Sequence, residues 1–353
     1  MTESSNTSPD TAADDALTAL PAGFALIAED PQLGPSIAAS LELVETRLLE
    51  AISNADPFAN ATSRHLAQAG GKRIRPLLTL LASHLGPEPT NDKVIQAAVV
   101  VELTHLATLY HDDVMDSAPL RRGAPTAHEV WGNSVAVLTG DLIFARASSL
   151  VSELGGEALG IQAHTFERLC MGQLHETVGP REDQDPLEHY LAVISGKTAS
   201  LIAASGQFGS LFSGAERQFI NVMVEYGEKV GTAFQLADDV IDVTGREVKS
   251  GKTPGTDLRE GVPTLPVLIL RRNAAAGDAE AAAVLELVDG DLSSDEALAA
   301  AVEALRKNRA TAEAWAVARQ WSDEAVAALE PLPDTVVKQA LASFAVAVVE
   351  RDV

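Results

Sequence analysis

Apolar residues recur at intervals of three and four along most of the chain, whereas strict alternation of apolar and polar residues is scarce. The first spacing is typical of amphipathic α-helices, and the second is typical of half-buried strands. Residues that favour helices, such as Ala, Leu and Glu, are also abundant. The pattern predicts helices at about residues 35–54, 75–86, 92–112, 134–153, 159–178, 187–195, 199–212, 216–243, 264–273, 294–305, 309–328 and 335–350.

The order of these elements predicts a single all-α domain over residues 31–353, preceded by a disordered acidic leader at 1–30. The first residues lack the basic and apolar segments of a signal peptide. The most apolar stretch, from Val94 to Tyr110, is interrupted by polar residues and favours a buried core helix. The single cysteine excludes a disulfide framework and suits a reducing compartment. We therefore predict no transmembrane segment and a cytoplasmic protein.

One acidic pattern occurs twice, as HDDVMD at 111–116 and as ADDVID at 237–242. Each contains Asp-Asp-x-x-Asp, whose outer aspartates lie four positions apart and share one face of a helix. Carboxylates crowded onto one turn repel each other unless a cation lies among them. Both motifs follow strongly apolar stretches, so we place each at the end of a buried helix.

The ligand chemistry of these motifs favours Mg²⁺ over zinc, because carboxylate oxygens are hard ligands. Mg²⁺ is usually held by one or two carboxylates while substrate phosphates complete its coordination. Two such clusters facing each other can hold several Mg²⁺ ions around one diphosphate. The alternative is a solvated acidic face, which two occurrences after apolar stretches make less favourable.

Cationic side chains accompany the acidic motifs. Those near the first motif are Lys72, Arg73, Arg75, Arg121 and Arg122. Arg binds phosphate in a bidentate manner and Lys binds it as a point charge. His105 lies on the same helical face as Asp112 and either donates to a diphosphate or is a satisfied core residue.

A weaker group of candidates accompanies the second motif, namely Lys197, Thr198, Gln235 and Lys252. The segment 251–266 is rich in turn residues and is predicted to form a lid over the site.

The charge of the chain narrows the choice of ligand. Fifty acidic against 26 basic residues give a formal net charge of -24, which disfavours nucleic acid as a partner. With 46% apolar residues the chain can nevertheless bury a full core. A site for a small phosphate is therefore expected only where Mg²⁺ and local cations offset the acidic excess.

Five segments follow one another along the chain: GGKRIRPLL, LATLYHDDVMDSAPLRRG, GKT, FQLADDVIDVTG and GKTPGTDLREGVPTLP. In this order they resemble the trans-isoprenyl diphosphate synthase family, also called the polyprenyl synthetases, and the resemblance covers about residues 35–350. The resemblance implies an isoprenoid synthase-type barrel of antiparallel helices around a deep central cavity, assembled as a homodimer. It also implies head-to-tail prenyl transfer. An allylic diphosphate ionises with the help of Mg²⁺, the double bond of isopentenyl diphosphate attacks the cation, and a proton is lost.

The same resemblance assigns roles to individual residues. Three Mg²⁺ ions per site would be held by Asp112, Asp116 and Asp238, with Asp113, Asp239 and Asp242 in support. Isopentenyl diphosphate would contact Lys72, Arg75, His105 and Arg122. The allylic diphosphate would contact Arg121, Lys197, Thr198, Gln235 and Lys252. The catalytic set would be Asp112, Asp116, Asp238 and Lys197. Val262 departs from the Lys of many relatives, so one cation is either missing or supplied by Arg259.

Product length is predicted from Ala107 and Thr108, which lie five and four residues before Asp112. Relatives with short products carry bulky aromatics there, whereas both residues are small in this chain. We therefore expect a deep apolar tunnel and a product of about C30 to C50, such as a menaquinone side chain requires. The alternatives are a farnesyl or geranylgeranyl diphosphate synthase and the catalytic subunit of a heterodimeric synthase. A class I terpene cyclase is disfavoured because it lacks the second Asp motif and GGKRxRP.

Overall fold

The computed structural model describes residues 22–245 and 254–350, whose regular secondary structure is almost entirely helical, as predicted. After a 3₁₀ turn at Ala22–Phe24, the helices are α1 (Ala25–Glu29), α2 (Leu33–Ala51), α3 (Pro57–Gln68), α4 (Ile74–Ser83), α5 (Asp92–Met115), α6 (Ala127–Trp131), α7 (Asn133–Leu154), α8 (Gly156–Val178), α9 (Pro186–Ile194), α10 (Ser200–Phe212), α11 (Arg217–Thr244), α12 (Thr256–Arg259), α13 (Leu265–Ala275), α14 (Ala279–Val288), α15 (Asp295–Lys307), α16 (Arg309–Ala328) and α17 (Val336–Val349). A π-helical segment, Ser195–Ala199, joins α9 to α10. Strands β1 (Leu120–Arg121) and β2 (Ala124–Pro125) form a short antiparallel hairpin.

Every predicted helix is present, and most ends lie within three residues of the prediction. Two further helices of ten or more residues, α3 and α14, were missed. Both begin with an aspartate whose side chain accepts backbone N–H groups of the first turn, Asp56 in α3 and Asp278 in α14. Pro57 at the first position of α3 is a further start signal. The missed helices were therefore marked by local sequence.

The predicted leader extends too far into the chain. Residues 1–21 lie outside the described residues. Residues 22–29 are helical, and the side chains of Phe24 and Ile27 are fully buried. Burying two large apolar side chains is favourable, so this stretch belongs to the folded part of the protein.

Contacts divide the chain into two units. Unit 1 comprises Met1–Glu167, Leu201–Gly227 and Pro331–Leu341 and contains the first acidic motif. Unit 2 comprises Arg168–Ser200, Glu228–Glu330 and Ala342–Val353 and contains the second. One catalytic domain over residues 31–353 stays a prediction.

The long helix α5 forms the centre of unit 1, where it packs against α2, α4 and α7. The Tyr110 hydroxyl of α5 donates to the Thr62 carbonyl at 2.5 Å and accepts the Leu66 N–H at 3.2 Å, which fastens α3 to α5. By length and composition, α5 and α7 could each cross a membrane, but α5 is mostly buried within the fold. A buried core helix can be equally long and apolar. The burial of α5 agrees with the core helix that we predicted from Val94 to Tyr110.

Within unit 2, α13 packs against α9, α14 and α16. All side chains from Leu265 to Leu270 are buried, so the first half of this helix is enclosed within the unit.

Candidate active site

The first acidic motif lies at the C-terminal end of α5, as predicted. Asp116 caps the helix, and its N–H donates to the Asp112 carbonyl at 2.8 Å. Asp112 is half-buried and Asp116 is exposed, whereas Asp113 is only 1% exposed. The outer carboxylates therefore face away from the core while the inner one points into it.

The inner carboxylate forms an ion pair with Arg121. The Arg121 Nε and Nη2 atoms both lie 2.7 Å from Asp113 Oδ1. Burial raises the pKa of Asp113, and the charge of Arg121 opposes that rise. Arg121 was predicted to bind the allylic diphosphate, but in the structure it neutralises a buried carboxylate next to the two outer aspartates.

The glycine pair before α4 permits a close approach of Arg122. Gly71 has a φ of 149°, and a Cβ atom there would lie 2.8 Å from Arg122 Cζ. The Arg122 guanidinium donates to the carbonyls of Leu66, at 3.1 Å, and Gly70. The glycine pair therefore makes room for the guanidinium of Arg122, a residue predicted to bind isopentenyl diphosphate.

Arg73 has a structural role within the same segment. It donates to both carboxylate oxygens of Glu45 at 2.9 Å and to Glu102 Oε1 at 2.8 Å. Burial alone lowers the pKa of Arg73, but its hydrogen bonds and the two carboxylate charges outweigh that effect and raise it. Its φ of 47° lies in the left-handed region, a backbone conformation that residues other than glycine rarely adopt.

The guanidinium groups of Arg75 and Arg122 lie close to the ring of His105 on α5. Arg75 Nε is buried and has no hydrogen-bond partner within the described part of the chain. Burial lowers the pKa of Arg75, and the neighbouring Arg122 lowers it further. Burial, followed by the charges of Arg75 and Arg122, holds the pKa of His105 well below its usual value. His105 is therefore neutral, and one ring nitrogen can donate to an anion. Lys72 lies nearby in the sequence and is exposed.

The second acidic motif lies in the last two turns of α11 and repeats the arrangement of the first. Asp238 and Asp242 are half-buried, whereas Asp239 is 6% exposed. The Tyr190 hydroxyl donates a hydrogen bond to Asp239, and Gln235 Nε2 donates another to the same carboxylate at 3.0 Å. Burial raises the pKa of Asp239 to about 7, although both hydrogen bonds favour the charged form.

A hydrogen-bond chain extends from this inner carboxylate to the predicted allylic site. The Thr198 hydroxyl donates to Gln235 Oε1 at 3.1 Å, so Tyr190, Asp239, Gln235 and Thr198 are linked. Tyr190 was not among the residues predicted from the sequence. Its pairing with Asp239 spans 49 residues, and no local pattern signals it.

Lys197 and Thr198 lie on the π-helical segment rather than in the break between two helices that we predicted. Interruptions of this kind are frequent at functional sites. Gly172 of α8 contacts the segment so closely that a Cβ atom there would lie 2.6 Å from the Lys197 nitrogen. Arg168 anchors the segment by donating to the Ser195 carbonyl at 3.0 Å and to Glu228 at 2.9 Å. Lys197 itself is paired with Glu176.

The predicted lid contacts the last aspartate of the second motif. The Gly255 N–H donates to the Asp242 carbonyl at 2.8 Å, and the Asp257 N–H donates to Asp242 Oδ2 at 3.3 Å. Arg259 pairs with the exposed Asp295 at 2.6 Å, and its replacement of the cation that is missing at Val262 stays a prediction. Lys252 lies outside the described residues.

In each motif the outer carboxylates are hard oxygen ligands of the type that Mg²⁺ prefers. Among residues 22–245 and 254–350, no three His, Cys, Asp or Glu side chains are close enough to hold a metal by themselves. Mg²⁺ needs only one or two carboxylates when phosphate oxygens and waters complete its octahedron. The two inner aspartates, Asp113 and Asp239, have their own protein partners and would support the ligands.

The predicted chain-length residues lie where α5 and α7 approach each other. Ala107 is 1% exposed, and a Cβ atom on Gly140 would lie 3.1 Å from its carbonyl oxygen. Thr108 is half-buried. From Ala97 to Thr104 each side chain is at most 2% exposed. This part of α5 is therefore enclosed by its neighbours, and the deep apolar tunnel stays a prediction.

Comparison with known proteins places these observations in context. The chain matches the family model described as Polyprenyl synthetase over residues 56–305. It is 43% identical to a nonaprenyl diphosphate synthase from Mycobacterium tuberculosis over 89% of this chain and 93% of that protein. It is 37% identical to heptaprenyl diphosphate synthase component 2 from Geobacillus stearothermophilus over 88% of this chain and 96% of that protein. A geranylgeranyl pyrophosphate synthase from Corynebacterium glutamicum, complexed with calcium and isoprenyl diphosphate, is similar with a TM-score of 0.82 and 43% identity, over 91% of this chain and 98% of that one.

Proposed function

Because the chain belongs to the polyprenyl synthetase family, we propose that it is a prenyltransferase that makes a long-chain all-E polyprenyl diphosphate. Overall identity does not select the product, since a nonaprenyl and a geranylgeranyl diphosphate synthase are equally similar. The small side chains at Ala107 and Thr108 carry the proposal, because neither is the bulky aromatic that stops chain growth in relatives with short products. We propose a product of about C30 to C50 for a quinone side chain.

The reaction begins with loss of diphosphate from the allylic substrate. Asp112, Asp116 and Asp238 would hold three Mg²⁺ ions, which supply positive charge to the departing diphosphate. Asp113 and Asp239 keep the motifs in place through their partners. Asp242 supports the second motif from its contact with the lid.

Side chains of the protein would position both substrates. Arg75, Arg122 and neutral His105 form a site for the diphosphate of isopentenyl diphosphate, together with Lys72. Lys197, Thr198 and Gln235 lie beside the second motif and would contact the allylic diphosphate, as Lys252 would. Arg121 balances the charge of Asp113 and, since its side chain is partly exposed, would also contact the allylic diphosphate. The departing diphosphate would accept the final proton, since the proposed reaction requires no nucleophilic side chain.

The assembly and location belong to the same proposal. A homodimer is proposed. The similarity to a protein named component 2 supports the alternative of a heterodimer in which this chain, with both Asp motifs intact, is the catalytic subunit. The isopentenyl and allylic diphosphates are small and water-soluble, which supports a cytoplasmic enzyme.

The direct test of product length uses purified protein with Mg²⁺, radiolabelled isopentenyl diphosphate and a C10, C15 or C20 primer. Products of about C30 or longer are expected. Products that stop at C15 or C20 with every primer would contradict the long-chain proposal and support a short-chain synthase instead.

A further inference from the structure

A buried polar bridge joins α5 to α8 below the first acidic motif. Gln162 Nε2 donates to Thr104 Oγ1 at 2.7 Å, and the Thr104 hydroxyl donates to the Val100 carbonyl at 2.8 Å. Gln162 is 2% exposed and Thr104 is fully buried. The Gln162 carbonyl oxygen is also buried, and none of the described residues donates a hydrogen bond to it.

This bridge is an unfavourable way to fill a core. A buried carbonyl without a partner loses its hydrogen bonds to water and gains none in return. Two aliphatic side chains of the same size would fill the space without that cost. The polar pair is thus a weaker closure than the apolar one that the site could accommodate.

The bridge closes one side of α5 at a defined depth. Thr104, Thr108 and Asp112 are spaced by four residues and follow one side of the helix. At 1.5 Å per residue, Thr104 lies about 12 Å below Asp112. Thr108, between them, is half-buried, whereas Thr104 is fully enclosed. The change from partial exposure to complete burial therefore occurs at the level of the bridge.

Aromatic side chains stand next to the bridge. One turn along α8 from Gln162, Phe166 stacks on Phe144 of α7 with ring centroids 3.8 Å apart. Both rings are half-buried, in contrast to the closed contact between Thr104 and Gln162. An apolar wall of this kind suits a hydrocarbon chain.

We propose that the Thr104–Gln162 bridge is the floor that the growing prenyl chain meets and must open for elongation to continue. The inference rests on the proposed prenyltransferase function and adds a determinant of product length. An isoprenyl unit has four main-chain bonds of about 1.5 Å and extends roughly 5 Å, so about two to three units fit above the floor. Further growth requires the Gln162 side chain to leave Thr104, and the bridge therefore slows elongation at an intermediate of about C15.

The test measures the ratio of products of C30 or longer to products of C15 to C20, with isopentenyl diphosphate limiting. Gln162→Ala removes the floor and should raise this ratio about tenfold or more. Thr104→Val keeps the side-chain volume but removes the hydrogen bond, and should raise the ratio about threefold. Circular dichroism and thermal unfolding confirm that each variant is folded. An unchanged ratio in folded Gln162→Ala or Thr104→Val protein would overturn the proposal.

A matched control separates the floor from general loosening of the core. Leu103 is fully buried at the same depth, but nine residues from Asp112 it faces the opposite side of α5. Leu103→Ala should leave the ratio as in the wild type. An increase equal to that of Gln162→Ala would contradict a specific role for the bridge.

A block above the floor tests the order of the two positions. Thr108→Phe should stop elongation early, and the double variant Thr108→Phe/Gln162→Ala should give the same short products. Long products from the double variant would show that the chain does not pass this side of α5 and would overturn the proposal. The long-chain proposal can fail while the floor proposal holds. In that case the wild-type products end at C15 or C20, and Gln162→Ala protein makes longer products.

Discussion

The segment GGKRIRP provides a sharp test, because its neighbouring cations have different roles in the structure. Arg73 neutralises Glu102, which is 2% exposed, and Glu45, which is partly exposed. In Arg73→Met, the buried Glu102 carboxylate loses its hydrogen-bonded cation and keeps only the charges of Arg75 and Arg122 nearby. Loss of the direct partner of a buried charge costs about 3–5 kcal/mol. The exposed pair with Glu45 adds about 1 kcal/mol at most. Arg73→Met should therefore lower the free energy of unfolding by roughly 4 kcal/mol.

The assay combines urea unfolding with steady-state kinetics. In folded Arg73→Met protein, the KM for isopentenyl diphosphate should stay within about threefold of the wild type, because Arg73 is not assigned to the substrate. Arg75→Met is the matched control. The Arg75 Nε atom is buried without a hydrogen-bond partner among the described residues, so its loss should raise the KM by at least about tenfold, the effect of one charge-assisted contact. Glu102→Gln added to Arg73→Met should recover much of the lost stability.

Two results would refute this division of roles. A large rise in KM with unchanged stability in Arg73→Met would make Arg73 a substrate ligand. Failure of Glu102→Gln to restore any stability would show that the uncompensated Glu102 charge is not the cause of the loss.

Gly71, Asp239 and Arg259 offer three more tests. Gly71→Ala should raise the KM for isopentenyl diphosphate about tenfold or more, because its Cβ would collide with Arg122 and displace a charge-assisted contact; an unchanged KM would contradict this. In metal-free enzyme, the pKa of about 7 for Asp239 means that the folded state retains a proton that the unfolded state releases above about pH 4. Its contribution to stability should be present at low pH and be lost as the pH rises from about 4 to 7, and Tyr190→Phe should extend the loss to higher pH. Urea unfolding at several pH values measures the free energy of unfolding of the wild type and of the non-titrating Asp239→Asn variant. The free energy of the variant should depend less on pH between about 4 and 7. An identical pH dependence in the two proteins would contradict the assignment. Arg259→Ala removes only an exposed ion pair and should change kcat by less than about twofold; a large loss of kcat would restore it as an active-site cation.

Much of the fold was predictable because helix signals are local. Apolar periodicity located the helices. In the structure a local cap marks the start of α5, since the Asn91 side chain accepts two N–H groups of the first turn. The position of both acidic motifs at helix ends followed from the same pattern.

The roles of individual site residues were less predictable because their partners are distant in the chain. Arg73 and Arg75 belong to the same short motif, yet Arg73 is the one that pairs with carboxylates 28 and 29 residues away. In the sequence, the inner aspartates, Asp113 and Asp239, also look the same as the outer ones. Burial and the tertiary partner of each side chain distinguish them, and no local spacing encodes these contacts.

The central claim is that the outer aspartates of the two motifs act with Mg²⁺ in prenyl transfer. The most direct measurement is incorporation of radiolabelled isopentenyl diphosphate by Asp112→Asn/Asp238→Asn protein, with the helical content checked by circular dichroism. We predict unchanged helicity and a loss of turnover of at least about a thousandfold, because stabilisation of the departing diphosphate is removed at both motifs. Turnover close to that of the wild type in the folded double variant would contradict the claim.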